Sequence, residues 1–172
     1  PYAASKAASD MFVLSCMRTY GLPAVVVRMC NNYGPRQHCE KFIPRMIQCV
    51  LAGEALPLYG TGENVREWLH VNDACRAIAA IAERGRTSEI YNVSGNDARS
   101  NVEVAQTIVR AMGPYMTLRA MPQPRIEHVA DRLGHDRRYA LDATKCAIEL
   151  GWASQIEFDQ GIGSLVEAAF AH

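Results

Sequence analysis

A chain of 172 residues with 49% hydrophobic and 21% charged content is long and apolar enough to bury a core, which excludes a disordered polymer. Eighteen basic residues balance eighteen acidic ones, so no electrostatic footprint points to nucleic acid or to an anionic membrane surface. The apolar runs are broken by Arg, Gln or Glu well short of the roughly 20 residues that a membrane-spanning helix needs.

Residues 2–19 read as a helix that Gly21-Leu22-Pro23 stops, and Ala24-Val25-Val26-Val27 reads as a strand covered on both faces. Cys30-Asn31-Asn32-Tyr33-Gly34-Pro35 then reads as a polar turn at the strand's carboxyl end, where open α/β sheets place their ligands. A second amphipathic helix covers 41–52, with Pro44 in its first turn and Gly53 closing it. Leu56–Tyr59 and Glu67–Val71 predict two short strands joined as a hairpin by the glycine-rich 60–64 segment. Asn72 or Asp73 is the expected cap of a helix reaching about Arg84, and Glu89–Val93 returns as a sheet strand. Ser100 and Glu103 form a capping-box pattern ahead of a helix through Met112. From Gly113 to Tyr139 the pattern is irregular; Asp142–Lys145 opens a short helix ending at Gly151, and Phe158–Phe170 reads as the last helix. Helix, stop and buried strand make the expected class α/β: the C-terminal part of a doubly wound, Rossmann-type parallel sheet plus a smaller α+β lobe.

The six cysteines, Cys16, Cys30, Cys39, Cys49, Cys75 and Cys146, lack paired C-x-x-C spacing, and the histidines show no H-x-x-x-H pair. They read as reduced, mostly packed thiols of a cytoplasmic protein with no metal site. Trp68 and Trp152 read as core or interface anchors.

Tyr2 and Lys6 stand one helical turn apart on the same face, and an ammonium beside a phenol favours the phenolate, which suits a catalytic base. The bland reading is a packed tyrosine and a solvated lysine. For Asn31-Asn32 the competing reading is turn chemistry. Lys41 and Arg66 have surface charge as their alternative, and the segment from Asp131 to Tyr139 could be a plain charged loop.

Tyr2-x-x-x-Lys6, Asn31–Pro35, Glu40–Pro44 and Asp131–Tyr139, in that order, resemble the dTDP-glucose 4,6-dehydratases, a group of extended short-chain dehydrogenase/reductases. The resemblance implies NAD as cofactor and a nucleotide sugar as substrate. Hydride leaves C4 of the hexose, water is lost across C5 and C6, and hydride returns to C6. It makes Tyr2 the base for the 4-hydroxyl and Lys6 its partner on the nicotinamide ribose, with Asn32 near the cofactor and Asn31 against the substrate. Lys41, Phe42, Pro57, Leu58, Tyr59, Arg66 and Asn101 fall where the group holds the nucleotide and its diphosphate, and Asp131, Arg132, Leu133, Gly134 and His135 are implied to bind substrate. Arg66 can fork onto phosphate oxygens, Lys41 can act as a point charge, and Tyr59 offers a flat face to a base.

On this resemblance, 1–35 and 72–97 are the end of an NAD-binding domain, and 36–71 and 98–172 a substrate lobe. Leu133 replaces a usual proline, and Arg36, His38 and Cys39 replace Tyr, Phe and Pro, which leaves base preference open. The group's glycine-rich loop and its Asp-Glu pair would lie upstream of Pro1, so the chain by itself is expected to be inactive. In the full enzyme a homodimer is expected, with the Tyr2–Tyr20 helix at its interface. The alternatives are an epimerase, decarboxylase or dehydratase for another nucleotide sugar, and a non-catalytic sugar-nucleotide-binding remnant.

Overall fold

The computed structural model describes residues 1–171. Six helices, α1 (Tyr2–Tyr20), α2 (Phe42–Ala52), α3 (Val71–Arg84), α4 (Asn101–Leu118), α5 (Thr144–Leu150) and α6 (Phe158–Phe170), alternate with eight short strands among the described residues. The strands are β1 (Val26–Met29), β2 (Asn31–Tyr33), β3 (Leu56–Tyr59), β4 (Val65–His70), β5 (Ile90–Val93), β6 (Ala98–Ser100), β7 (Ile126–Val129) and β8 (Arg138–Tyr139). Most pairings are parallel: β1 with β5, β2 with β4, β3 with β7 and β8 with β4, while β6 runs antiparallel to β4. The class is therefore α/β, as the pattern of elements predicts.

Two corrections set the geometry of the site. Asn31 and Asn32 are not in a turn. The backbone carries on from β1 through Cys30, whose N–H donates to the Val93 carbonyl at 3.1 Å, and then changes partner to β4, with Asn31 opposite Trp68 and Asn32 opposite Leu69. Tyr33, which is buried, supplies the anchor: its ring packs edge-on to Trp68 and His70 and against Phe158. That burial outweighs the turn preference of Asn-Asn, and the chain turns only after Gly34. Gly161 on α6 belongs to the same packing, because a Cβ there would collide with the Tyr33 hydroxyl.

The second correction concerns β3 and β4, which are not a hairpin. Gly60 and Gly62 both adopt positive φ and send the two strands to different partners, β3 to β7 and β4 to β2, β6 and β8. Leu56 on β3 points into a core formed by α2, α4 and α6, and Leu58 is fully buried as well, each contributing about 1.5–3 kcal/mol by burial. A second core joins α3 and β5 to Cys146, Leu150 and Trp152 from α5 and the turn after it. That stretch lies within 98–172, the range expected to belong with the other lobe.

Local chemistry explains the helix ends. Ser100 and Glu103 make the reciprocal capping box. Helix α4 nevertheless runs past Gly113 and Pro114 to Leu118, because Tyr115 stacks on Phe170 at 4.6 Å and Arg119 donates to the Phe170 carbonyl at 3.0 Å. Packing against α6 overrides the breaker. The cap of α3 is His70 rather than Asn72 or Asp73: its Nδ1 accepts from the Asn72 N–H at 3.2 Å. Asp73 is buried instead. One of its carboxylate oxygens accepts from the N–H groups of Gln155 and Ile156 at 2.9 Å each, and the other pairs with Arg76. Helix α1 forms as expected but buries only Met17 fully, and Met11, Phe12 and Tyr20 are exposed. Trp68 and Trp152 are core residues, and the cysteines are free thiols of which Cys30, Cys49 and Cys146 are buried.

Two titrations couple this fold to pH. Burial holds His70 below 6.5, against the opposing pull of Asp73. The stability its neutral cap provides is present above that value and lost as pH falls through the folded pKa. For Asp73, burial is the largest influence and raises the pKa, but Arg76 and the two backbone N–H groups outweigh it and hold the carboxyl below 3.8. Its contribution is present above 3.8 and lost as pH falls further. Denaturant titrations should thus show stability falling below about pH 6.5 and again in the acid range. His70→Asn, which keeps an acceptor for the cap, should remove the first step. At pH 7, Asp73→Ala should cost about 3 kcal/mol, because it leaves two N–H groups unpaired and breaks the ion pair with the partly exposed Arg76.

Candidate active site

The carboxyl ends of β2, β3 and β7 and the amino end of β4 carry most of the chemistry-bearing side chains. At the end of β3, Tyr59 is partly exposed; the Arg132 guanidinium lies 4.9 Å over its ring and His135 packs edge-on at 6.3 Å. Asp131 organises this group. Its carboxylate takes a 2.7 Å hydrogen bond with His135 Nδ1 and accepts the Arg132 N–H at 2.8 Å, and the hydrogen bond to His135, ahead of the other influences, holds its pKa below the usual carboxylate value. Gly134 adopts φ 68°, which lets the segment turn back so that residues 131 and 135 meet. Leu133 projects fully into solvent at the tip of this turn.

Arg66 on β4 joins this cluster through its own hydrogen bonds. One terminal nitrogen donates to the Val65 carbonyl at 2.7 Å and the other to the Asp136 carbonyl at 2.8 Å, so its fork lies against the 131–139 segment. Burial lowers its pKa without threatening its charge at neutral pH. Asn101 opens α4 beside it, its N–H donating to the Asn64 carbonyl at 3.1 Å, while the Asn64 side chain reaches the Asp136 carbonyl at 3.1 Å. Tyr59, Arg66, Asn101, Asp131, Arg132 and His135 therefore form one connected cationic and aromatic group, suited to a flat base and a dianionic diphosphate.

Other expected residues sit differently. The Leu58 side chain is fully buried, so only its backbone can face a ligand. Phe42 is stacked on Trp68 at 6.2 Å, which commits its ring to the core side. Pro57 is half-buried opposite Glu127 in the β3–β7 pair, and Lys41 is exposed at the start of α2.

Tyr2 and Lys6 lie on the first turns of α1 and are exposed, Tyr2 at 79%, with the Tyr2 carbonyl accepting from the Ser5 hydroxyl at 2.7 Å. The Arg28–Asp10 ion pair, 2.7 Å, fastens this helix to β1. At the end of β2, Asn32 Nδ2 contacts the Met29 sulfur at 3.6 Å, while its Oδ1 is buried with no partner. An unpaired buried acceptor is costly, and a ligand donor at this strand end would relieve it.

Several residues that matter here gave little sequence signal. Glu67 is a buried carboxylate that accepts from the Ser94 hydroxyl and from the Leu141 N–H, the latter at 2.8 Å. Gln37 folds back to donate to the Asn32 carbonyl at 2.9 Å. Tyr139 places its hydroxyl on the Met29 carbonyl at 3.2 Å. Glutamate in a β-branched and aromatic run reads as a solvent-facing strand residue, and only the folded pairing shows it enclosed. Among the described residues there is no helix long and apolar enough to cross a membrane and no cluster of three or more metal-ligating side chains.

A dTDP-glucose 4,6-dehydratase of Xanthomonas campestris pv. campestris is 49% identical over 170 residues, which cover 97% of this chain and 48% of that protein. The chain thus spans about half the length of the curated relatives it matches. Among solved structures, the Streptomyces venezuelae dTDP-glucose 4,6-dehydratase with NAD and TYD bound superposes with a TM-score of 0.91 at 43% identity, covering 100% of this chain and 51% of that one. A Thermotoga maritima UDP-glucose 4-epimerase with UDP-glucose reaches 0.88 at only 26% identity, covering 99% and 53%. The family described as GDP-mannose 4,6 dehydratase matches residues 1–165, and the chain belongs to it.

Proposed function

We propose that this chain provides the Tyr-Lys pair and the nucleotide-sugar clamp of an NAD-dependent dTDP-glucose 4,6-dehydratase. The observation that carries the reading is the connected group of Tyr59, Arg66, Asn101, Asp131, Arg132 and His135, gathered where the end of β3 and the start of β4 meet the 131–139 segment. It offers an aromatic face, a guanidinium fork and fixed acceptors in the order that base, diphosphate and sugar would need. The 49% identity to a dTDP-glucose 4,6-dehydratase, against 26% to an epimerase of the same fold, favours dehydration over epimerisation.

Bound NAD would supply reversible hydride acceptance at the sugar. The chain's own residues do the rest assigned here. Tyr2 takes the proton of the hexose 4-hydroxyl, and Lys6, one helical turn on, reaches the nicotinamide ribose. Asn32 offers its unpaired Oδ1 to a donor of the cofactor, and Asn31 on the same strand faces the substrate. Lys41, Phe42, Pro57, Leu58, Gly134 and Leu133 complete the wall, Leu58 through its backbone. The protein acts in the cytoplasm as a homodimer, and the exposed Met11 and Phe12 of α1 are the apolar surface that pairing would cover.

Two measurements test this. The native polypeptide that carries this sequence, given NAD and dTDP-glucose labelled with deuterium at C4, should yield a 4-keto-6-deoxy sugar with the label at C6. A C4 epimer instead, or no conversion, would contradict the reading. Arg66→Gln should weaken dTDP binding by about 10–100-fold in calorimetric titration, the value of a charge-assisted hydrogen bond; unaltered affinity would remove Arg66 from the clamp.

A further inference from the structure

Tyr139 lies in β8, a strand of two residues, and is pinned there from both sides. Before it, the Arg137 carbonyl accepts from the Val65 N–H at 2.8 Å; after it, the Leu141 N–H donates to the buried Glu67 carboxylate at 2.8 Å. The parallel register sets Tyr139 opposite Arg66. Its hydroxyl then crosses to the last residue of β1, donating to the Met29 carbonyl at 3.2 Å. The ring thus spans the space between the strand that carries the proposed diphosphate clamp and the strand that leads into Asn31 and Asn32. It is 38% exposed, so a ligand can reach it.

From this placement we infer that Tyr139 is a specificity-determining contact to the hexose of the substrate, its hydroxyl oxygen accepting a hydrogen bond from a sugar hydroxyl while its O–H goes on donating to the Met29 carbonyl. The inference rests on the reading under Proposed function. A nucleotide sugar runs base, diphosphate, hexose. With the base at Tyr59 and the diphosphate at Arg66, the hexose must pass along the Tyr139 ring to bring its 4-hydroxyl to Tyr2. A phenol has one proton and two lone pairs, and the Met29 carbonyl uses only the proton. Burial first, then the neighbouring Cys30 thiol and Tyr2 phenol, raise the Tyr139 pKa, so the hydroxyl keeps that proton at neutral pH. Neighbours able to compete for the hydroxyl are few: Arg28 is held by Asp10, and Glu67 is engaged by Ser94 and Leu141.

The test is Tyr139→Phe in the native polypeptide that carries this sequence, which deletes one oxygen and keeps the ring. KM for dTDP-glucose should rise about tenfold, as loss of one hydrogen bond predicts, with kcat within about twofold and affinity for dTDP, which has no hexose, unchanged. An unchanged KM overturns the inference. Equal weakening of dTDP also overturns it, because the effect would then run through the strand pairing with Arg66. If the unsubstituted polypeptide converts no dTDP-glucose at all, the proposed function falls and this inference falls with it; if it converts substrate and the variant matches it, only the role of Tyr139 is lost.

Discussion

Glu67 sits buried in the middle of β4, its carboxylate bonded to the Ser94 hydroxyl after β5 and to the Leu141 N–H after β8. A buried carboxylate is tolerated only with such partners, and meeting that requirement fixes three separated pieces of chain at one place. Strand β4 is also the common partner of β2, β6 and β8. Along six residues it presents Arg66 to the cleft, Glu67 to Ser94 and Leu141, Trp68 to the core and His70 to the start of α3. Remove the order of this strand and the site loses its floor, since among the described residues neither β2 nor β8 has another strand to hold it.

Electrostatics and packing divide the work. Apolar burial around Tyr33, Trp68 and Phe158 holds β2 and β4 against α6, and the Arg99 guanidinium, 4.6 Å over the Phe158 ring and 2.6 Å from Asp159, ties β6 to the same helix. The polar groups around Tyr59 and Arg66 are different in kind: they are held by one another and by backbone carbonyls, yet still face outward. Such preorganised, partly exposed charge is suited to a ligand rather than to the fold.

Much of the fold was legible because periodicity and capping are local. The capping box at Ser100 and Glu103, the bounds of α6 and the glycine stop of α2 need no tertiary information. What escaped was decided by partners distant in sequence. Asn31-Asn32 has good turn composition, but β4 was available to pair with it; 60–64 looked like a hairpin connection, but β7, whose residues pair 70 positions further on, took β3 away. The histidine cap of α3 was hidden because histidine is a less usual cap than the asparagine and aspartate that follow it. Within the candidate site, Tyr59, Arg66, Arg132 and His135 come together around the 131–139 segment, whereas Leu58 and Phe42 are drawn inward by their own hydrophobicity. Tyr139 stood inside a recognised motif but gave no sign that its hydroxyl would reach β1.

The account requires that the phenol on the first turn of α1 removes the proton from a nucleotide-linked hexose. Steady-state kinetics of Tyr2→Phe in the native polypeptide that carries this sequence test it most directly. General-base removal predicts kcat lower by about 10²–10⁴-fold, with dTDP affinity unchanged. A variant that turned over dTDP-glucose at the unsubstituted rate would contradict the account.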